Sequence, residues 1–175
     1  MVVIAPHHTS TKSGTGALTQ PFSITRIPMY KVFQKDVFDL HDDPARIAAK
    51  RFWNSLGYEC QDNPDDFGED LLVTGKGKKF YCEVEVKTIW HGTKFHFDSL
   101  HIPARKAKFL NRATKFMIFN ASLTHAAIVS HSAVANAPLV EVKNIYIKQG
   151  ERFFNVPLKD LHIVPVLNTK KPEGA

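Results

Sequence analysis

Residues Phe80 to Lys87 alternate in a strict two-residue rhythm: Phe80, Cys82, Val84 and Val86 are apolar, and Tyr81, Glu83, Glu85 and Lys87 fall between them. Successive side chains of a β-strand point to opposite faces, so each set shares one side. A helix would scatter this pattern around its axis, so the segment is a half-buried strand. Gly75-Lys76-Gly77-Lys78-Lys79 just before it supplies a hairpin turn, and Asp70-Leu71-Leu72-Val73-Thr74 reads as a buried strand leading into that turn. Three charged groups therefore line one face of a single strand. That face is either ordinary solvent-facing surface or a site.

The surroundings of the hairpin define an α/β domain. A helix is predicted from Pro44, with Asp42 and Asp43 as capping candidates and proline at the first helical position. Ala45, Ala48, Ala49, Phe52, Trp53 and Leu56 form its core face, and Gly57 ends it. A short strand begins at Tyr58-Glu59-Cys60, and Asn63 to Gly68 is a turn-rich loop. Beyond the hairpin, residues 103–111 predict a second helix with Ala104, Ala107 and Leu110 inward and Arg105, Lys106, Lys108 and Arg112 as its basic side. Lys115 to Asn120 and Ala126 to Ser130 predict two central strands. Ile145 to Lys148 and Phe153 to Val156 predict a hairpin around Gln149-Gly150, and His162 to Leu167 a last strand. Residues 1–30, polar and rich in Gly, Ser and Thr between His7 and Gly16, are expected to be a flexible arm, and residues 168–175 a flexible tail. The folded domain is then 31–167, close to the length of a single domain.

Charge narrows the function. The 175 residues carry 23 Lys and Arg against 17 Asp and Glu, a net charge of +6. A basic excess favours a polyanionic partner, nucleic acid or an anionic membrane surface. Residues 36–70 nevertheless hold ten acids against three bases, whereas 99–140 hold five bases and no acid. An acidic cluster within a basic chain suits a metal site facing a polyanion. The two cysteines, Cys60 and Cys82, do not make a disulfide scaffold and fit a reducing, cytoplasmic compartment as small buried side chains. No apolar run approaches the roughly 20 residues of a membrane span, so no membrane role is expected. No Gly-x(4)-Gly-Lys-Ser/Thr loop provides for a nucleotide cofactor, and no Gly-x-Ser-x-Gly elbow for a serine nucleophile. His91, His96 and His101, five apart, do not have zinc-ligand spacing.

The order helix, strand, hairpin, strand, helix, strand, together with Gly68-Glu69-Asp70-Leu71-Leu72-Val73 and Cys82-Glu83-Val84-Glu85-Val86-Lys87, resembles the PD-(D/E)XK nuclease superfamily. The resemblance covers roughly residues 43–131. It implies a restriction-endonuclease-like αβββαβ core with a mixed central sheet flanked by helices. It further implies a nuclease, with Asp70, Glu85 and Lys87 as catalytic residues and the Val86 carbonyl as a third metal ligand beside Asp70 and Glu85. The chemistry agrees with the spacing. Phosphodiester hydrolysis calls for a hard divalent ion, Mg²⁺ with Mn²⁺ as substitute, held by carboxylates, and Glu85 and Lys87, two apart, share a face. Lys87 would orient or deprotonate the water and offset charge on the phosphate.

Departures from the pattern are visible too. Glu69, not proline, precedes Asp70, and Pro64-Asp65 falls in a turn upstream. The first helix lacks the glutamate many members carry, leaving Asp43 as a possible supporting acid. Glu83 is either a second supporting acid or a solvated neighbour. Arg105, Lys106, Lys108 and Arg112 are either phosphate contacts or a solvated face. Trp90, His91 and Phe95 either stack on bases or pack in the core. The expected function is Mg²⁺-dependent DNA cleavage, as a resolvase-like or phage-type endonuclease and possible homodimer. The rivals are a catalytically inactive nuclease-like fold that binds nucleic acid or joins an assembly, and a basic RNA-binding domain.

Overall fold

The computed structural model describes residues 35–143 and 150–166, with side chains from residue 44 onward. The expected arm (1–30), the tail (168–175) and the strand expected at 145–148 lie outside the described residues. The first helix, α1 (Lys35–Ser55), is longer than the sequence predicts and carries Pro44 in its interior. Asp42 and Asp43 are thus helical residues, not caps. A proline inside a helix forfeits one backbone hydrogen bond. The turns on its N-terminal side continue the ladder around that gap, so proline marks no boundary here.

From Pro44 onward the helix packs as its period dictates. Ala45, Ala48, Ala49 and Trp53 are buried, and small alanines let the axis approach the sheet. Leu56, predicted on that face, is exposed because the helix has already ended at Ser55. Gly57 adopts φ +78°, the left-handed conformation that closes a helix at little cost only for glycine.

Six strands form the central sheet in the order β1-β2-β3-β5-β6-β9: β1 (Glu59–Asp62), β2 (Leu71–Gly75), β3 (Lys78–Lys87), β5 (Thr114–Asn120), β6 (His125–Ser130) and β9 (His162–Pro165). β2 and β3 meet at a two-residue turn, Lys76-Gly77, with both residues at positive φ. That backbone matches the twist of a tight hairpin. Only the β3–β5 pairing is parallel among these strands, with Glu83 opposite Phe116 and Glu85 opposite Ile118. Parallel neighbours need a crossover. Here it contains β4 (Ser99–Pro103) and a 3-10 helix, Ala104–Phe109. The order α, β, β, β, crossover, β is the one expected, and the central sheet is mixed.

The far side of the sheet differs from expectation. A second, three-stranded sheet covers it, β4-β8-β7, with β7 at Leu139–Val142 and β8 at Glu151–Pro157. The partner of β8 across the chain reversal is β7, a strand the sequence reading missed. A short helix, α2 (His131–Ala135), completes this layer. Where a second α-helix was predicted, the chain makes six residues of 3-10 helix. Only Phe109 of that helix is buried, while Ala107 is exposed and Ala104 and Leu110 are half-buried. One anchoring side chain cannot define an α-helical core stripe, so the alanine-based face does not form.

Two hydrophobic layers follow. One lies between α1 and the sheet and includes Leu71, Val73, Cys82, Val84, Met117 and Phe119. The other lies under the second sheet and includes Trp90, Phe95, Leu100, Phe116, Ile118 and Phe154. Trp90 and Phe95 are thereby core residues and not base-stacking platforms. Both cysteines are free and buried, and burial pushes the Cys60 thiol up to about 11 and that of Cys82 further up. No helix among the described residues is long and apolar enough to cross a membrane.

Candidate active site

The polar face of β3 is turned toward the second layer. Glu83 and Glu85 stand beside the inward Phe116 and Ile118 of β5, so they are shielded on one flank. Asp70 precedes β2, one residue beyond the last rung of the β2–β3 ladder, Leu71 with Cys82. Its Oδ2 accepts the Val84 N–H at 2.7 Å, taking the place of the next strand carbonyl. Strand alternation turns the Val86 carbonyl to this same edge, where β2 supplies no rung. Asp70, Glu83, Glu85 and the Val86 carbonyl are therefore brought to one corner of the sheet.

Lys106 enters that corner from the 3-10 helix. Its Nζ lies 2.6 Å from Glu85 Oε2 and 3.1 Å from Glu83 Oε1. It does not stand on an outward basic face, as the sequence had suggested. Its side chain is 11% exposed and that of Glu83 13%, against 40% for Glu85. Arg112 also turns inward, onto the fully buried Glu69, through its Nε at 3.1 Å and its second guanidinium nitrogen. The Thr114 hydroxyl donates to the same carboxylate. Of the four bases expected to meet phosphate, Arg105 and Lys108 are exposed: Arg105 bonds Glu151 at 3.0 Å and Lys108 the Phe67 carbonyl at 3.1 Å.

The loop before Asp70 is held by its own polar groups. Asn63 donates to the Glu69 carbonyl at 2.8 Å, and Asp65 accepts the Phe67 N–H at 3.1 Å. Asp65 is thus a turn residue, and Asp70 the acid delivered to the strand edge. Gly68 is required by space, since a Cβ there would meet the Asn63 amide and the Asp65 carbonyl. At the other end of β3 the Lys87 carbonyl accepts the Trp90 N–H at 2.9 Å. Asn120, buried and opposite Lys87, bonds the Gly92 carbonyl at 2.8 Å. These contacts fix where Lys87 stands. Its Nζ lies 4.4 Å from the Phe97 ring centre.

Electrostatics follows from the crowding. Burial pushes the Asp70 carboxyl up, the Val84 N–H, Lys106 and Arg46 pull it back, and Glu69 adds to the rise. Burial, with Asp70 and Glu85 nearby, raises Glu83 to about 7 despite Lys106. Burial lowers Lys87 against the opposing pull of Glu85. Burial alone would lower Lys106 too, but Glu85 and then Glu83 outweigh it, and the net shift is upward. Glu83 and Glu85 thus share the Lys106 ammonium, while Arg46 also acts on Asp70 and Lys87 on Glu85.

Hard carboxylate and carbonyl oxygens are what Mg²⁺ and Mn²⁺ take as ligands. The Lys106 ammonium between Glu83 and Glu85 shows that a cation is accommodated at these oxygens. Among the described residues no three His, Cys, Asp or Glu side chains form a ready metal cage. The oxygens here that such an ion would take are those of the Asp70 and Glu85 carboxylates, the Val86 carbonyl and water. The side chain of Asp43 lies outside the described residues.

Glu83 makes a pH prediction. Its folded-state pKa stands above its ordinary 4.5, so the folded protein holds the extra proton between pH 4.5 and about 7. Stability must therefore fall as pH rises through that window and level off above it. Melting curves in EDTA across this range should show the slope, and Glu83→Gln should reduce it to the part that Asp70, also raised, contributes. An equal slope in both proteins would assign it to other groups.

Sequence reasoning missed Glu69 as the buried anchor of Arg112, Phe97 as the cover of Lys87, and the inward course of Lys106. Nothing in their local patterns marks them, because each depends on a contact between segments distant in sequence.

No protein-family model matches the chain. No curated protein matches it either. Among solved structures it is similar to Hjc, a Holliday junction resolvase from the archaeal hyperthermophile Archaeoglobus fulgidus, at 9% identity and TM-score 0.36, over 73% of this chain and 82% of that one. It is also similar to a bacterial homing endonuclease, I-Ssp6803I, at 11% identity and TM-score 0.38, over 77% of this chain and 81% of that one.

Proposed function

We propose that this chain is a metal-dependent nuclease that hydrolyses DNA phosphodiester bonds, as an endonuclease of the resolvase-like or phage type. The observation that carries the reading is Asp70, tied to Val84 N–H at 2.7 Å, on the strand that also presents Glu83, Glu85 and Lys87 on one face. Asp70, Glu85 and the Val86 carbonyl would hold Mg²⁺ or Mn²⁺, which would polarise the phosphoryl oxygen and make water at the site more acidic. The bond from Val84 holds the Asp70 carboxylate in one orientation. Lys87, half-buried and less favoured as a cation than a free lysine, accepts or orients the proton of the attacking water. In its charged form it offsets the negative charge gathering on the phosphate. Arg105 and Lys108, exposed on either side of Lys106, bind the flanking phosphates, and a homodimer would present two such sites to two strands.

Glu85→Gln tests the reading. It keeps the size of the side chain and an acceptor for Lys106 but removes the anionic ligand. Titration calorimetry should show Mn²⁺ binding lost, and gel assays should show no cutting of single-stranded, duplex or four-way-junction DNA. Unchanged binding and cutting would sink the assignment. One observation favours a second reading, a nuclease-like nucleic-acid-binding or assembly module: Lys106 already neutralises Glu85 without a metal. That reading predicts salt-sensitive DNA binding with no metal-dependent cutting by the wild type.

A further inference from the structure

Lys106 sits where a cation bound to Glu85 would compete with it. We propose that Lys106 is a built-in counter-ion: its ammonium occupies the carboxylate corner of the free protein, is displaced by the divalent ion, and then pairs with a substrate phosphate. The proposal rests on the metal-site reading above and adds how loading of that site is controlled.

The geometry sets the two cations in competition for one carboxylate oxygen. The ammonium is 2.6 Å from Glu85 Oε2. A magnesium ion about 2.1 Å from the same oxygen would lie within a few ångströms of that positive charge. In a corner where Lys106 and Glu83 are almost nine-tenths covered, water screens such repulsion poorly. Of the two, the ammonium on its long side chain is the one able to swing away. A doubly charged ion held by Glu85 and Asp70 satisfies hard carboxylate oxygens better than a single ammonium does.

The backbone need not move for this exchange. Phe109 anchors the 3-10 helix in the core, Arg105 is tied to Glu151 on β8, and Lys108 to the Phe67 carbonyl. Rotation of one long side chain is enough. Released, the ammonium joins Arg105 and Lys108 on the exposed side of the same segment, where a phosphate would take it up. Metal and DNA should then bind cooperatively, each strengthening the other by the same factor. The arrangement also holds Glu83 and Glu85 close together in the free protein by giving both the same ammonium.

Three measurements decide it. By calorimetry without DNA, Lys106→Met should bind Mn²⁺ about tenfold more tightly than wild type, equivalent to about 1.4 kcal/mol. Lys106→Arg, which keeps the charge, should stay as weak as wild type. Third, in the wild-type protein, mass spectrometry should show faster acetylation of the Lys106 amine when Mg²⁺ is added, relative to the exposed Lys76. This last readout needs no variant to fold. Equal or weaker Mn²⁺ binding by folded Lys106→Met, or acetylation of Lys106 unmoved by Mg²⁺, overturns the proposal while the metal site stands. If neither wild type nor folded Lys106→Met binds Mn²⁺, the metal-site reading falls, and this inference with it.

Discussion

Lys87→Ala is expected to lower metal-dependent DNA cleavage by roughly 10²–10⁴-fold, the range supplied by a well-placed acid–base or charge-stabilising group. Metal binding should survive, because Asp70, Glu85 and the Val86 carbonyl remain. The fold should survive too: the Lys87 ammonium lies against the Phe97 ring, so truncation leaves no buried carboxylate stranded. Lys87→Arg separates the two roles of the side chain. Arginine keeps the positive charge but does not give up its proton near neutral pH. Recovery of most of the rate by arginine would assign Lys87 to charge stabilisation, and no recovery to proton transfer. In the second case the single-turnover rate should climb with pH and level off below the ordinary lysine value of 10.5, because burial lowers this ammonium. Cleavage by Lys87→Ala at the wild-type rate would remove Lys87 from the mechanism.

The strand that carries these residues was the most legible part of the chain. Phe80 to Lys87 has a period of two, and period alone decides which side chains share a face. That is why Glu83, Glu85 and Lys87 were grouped correctly with no knowledge of what lies opposite them. The turn at Lys76-Gly77 and the helix end at Gly57 were legible for a related reason. Both need backbone conformations that glycine adopts at little cost, and glycine is visible in the sequence. The helix start was not legible. Pro44 resembles a first-turn residue, yet a helix tolerates one lost hydrogen bond when its neighbours continue the ladder. The basic segment after β4 was misjudged because alanine and lysine suggest an amphipathic helix. In the fold the single anchor is Phe109, and six residues of 3-10 helix turn Lys106 inward. Where a long, flexible lysine ends is set by the carboxylates it finds. Those sit on β3, about twenty residues earlier, and no local pattern reports on them.

The same limit hid Glu69, and its partner offers the second large effect. Arg112→Ala is expected to cost about 3 kcal/mol of stability, because removing one member of a buried ion pair strands the other. Glu69 has 0% of its side chain exposed, whereas Arg112 is 35% exposed, so the low end of the usual range applies. In a domain of this size about 2–4 °C of melting temperature is lost per kcal/mol, which places the fall near 10 °C. The Thr114 hydroxyl still donates to Glu69 and keeps the loss from being larger. Replacing both partners with apolar residues, Glu69→Leu with Arg112→Met, should recover much of it, since no buried charge is then left unpaired. Salt dependence distinguishes this structural role from phosphate contact. Each phosphate contact adds about 0.9 to the slope of log affinity against log salt on duplex DNA. Arg105→Ala and Lys108→Ala should each reduce that slope, and Arg112→Ala, measured below its melting transition, should leave it unchanged. A reduced slope for Arg112→Ala would mean that the guanidinium leaves Glu69 when DNA arrives. Glu69 would then be a switch partner of the same kind proposed for Glu85 and Lys106, and the two inward-turned bases of this segment would act together.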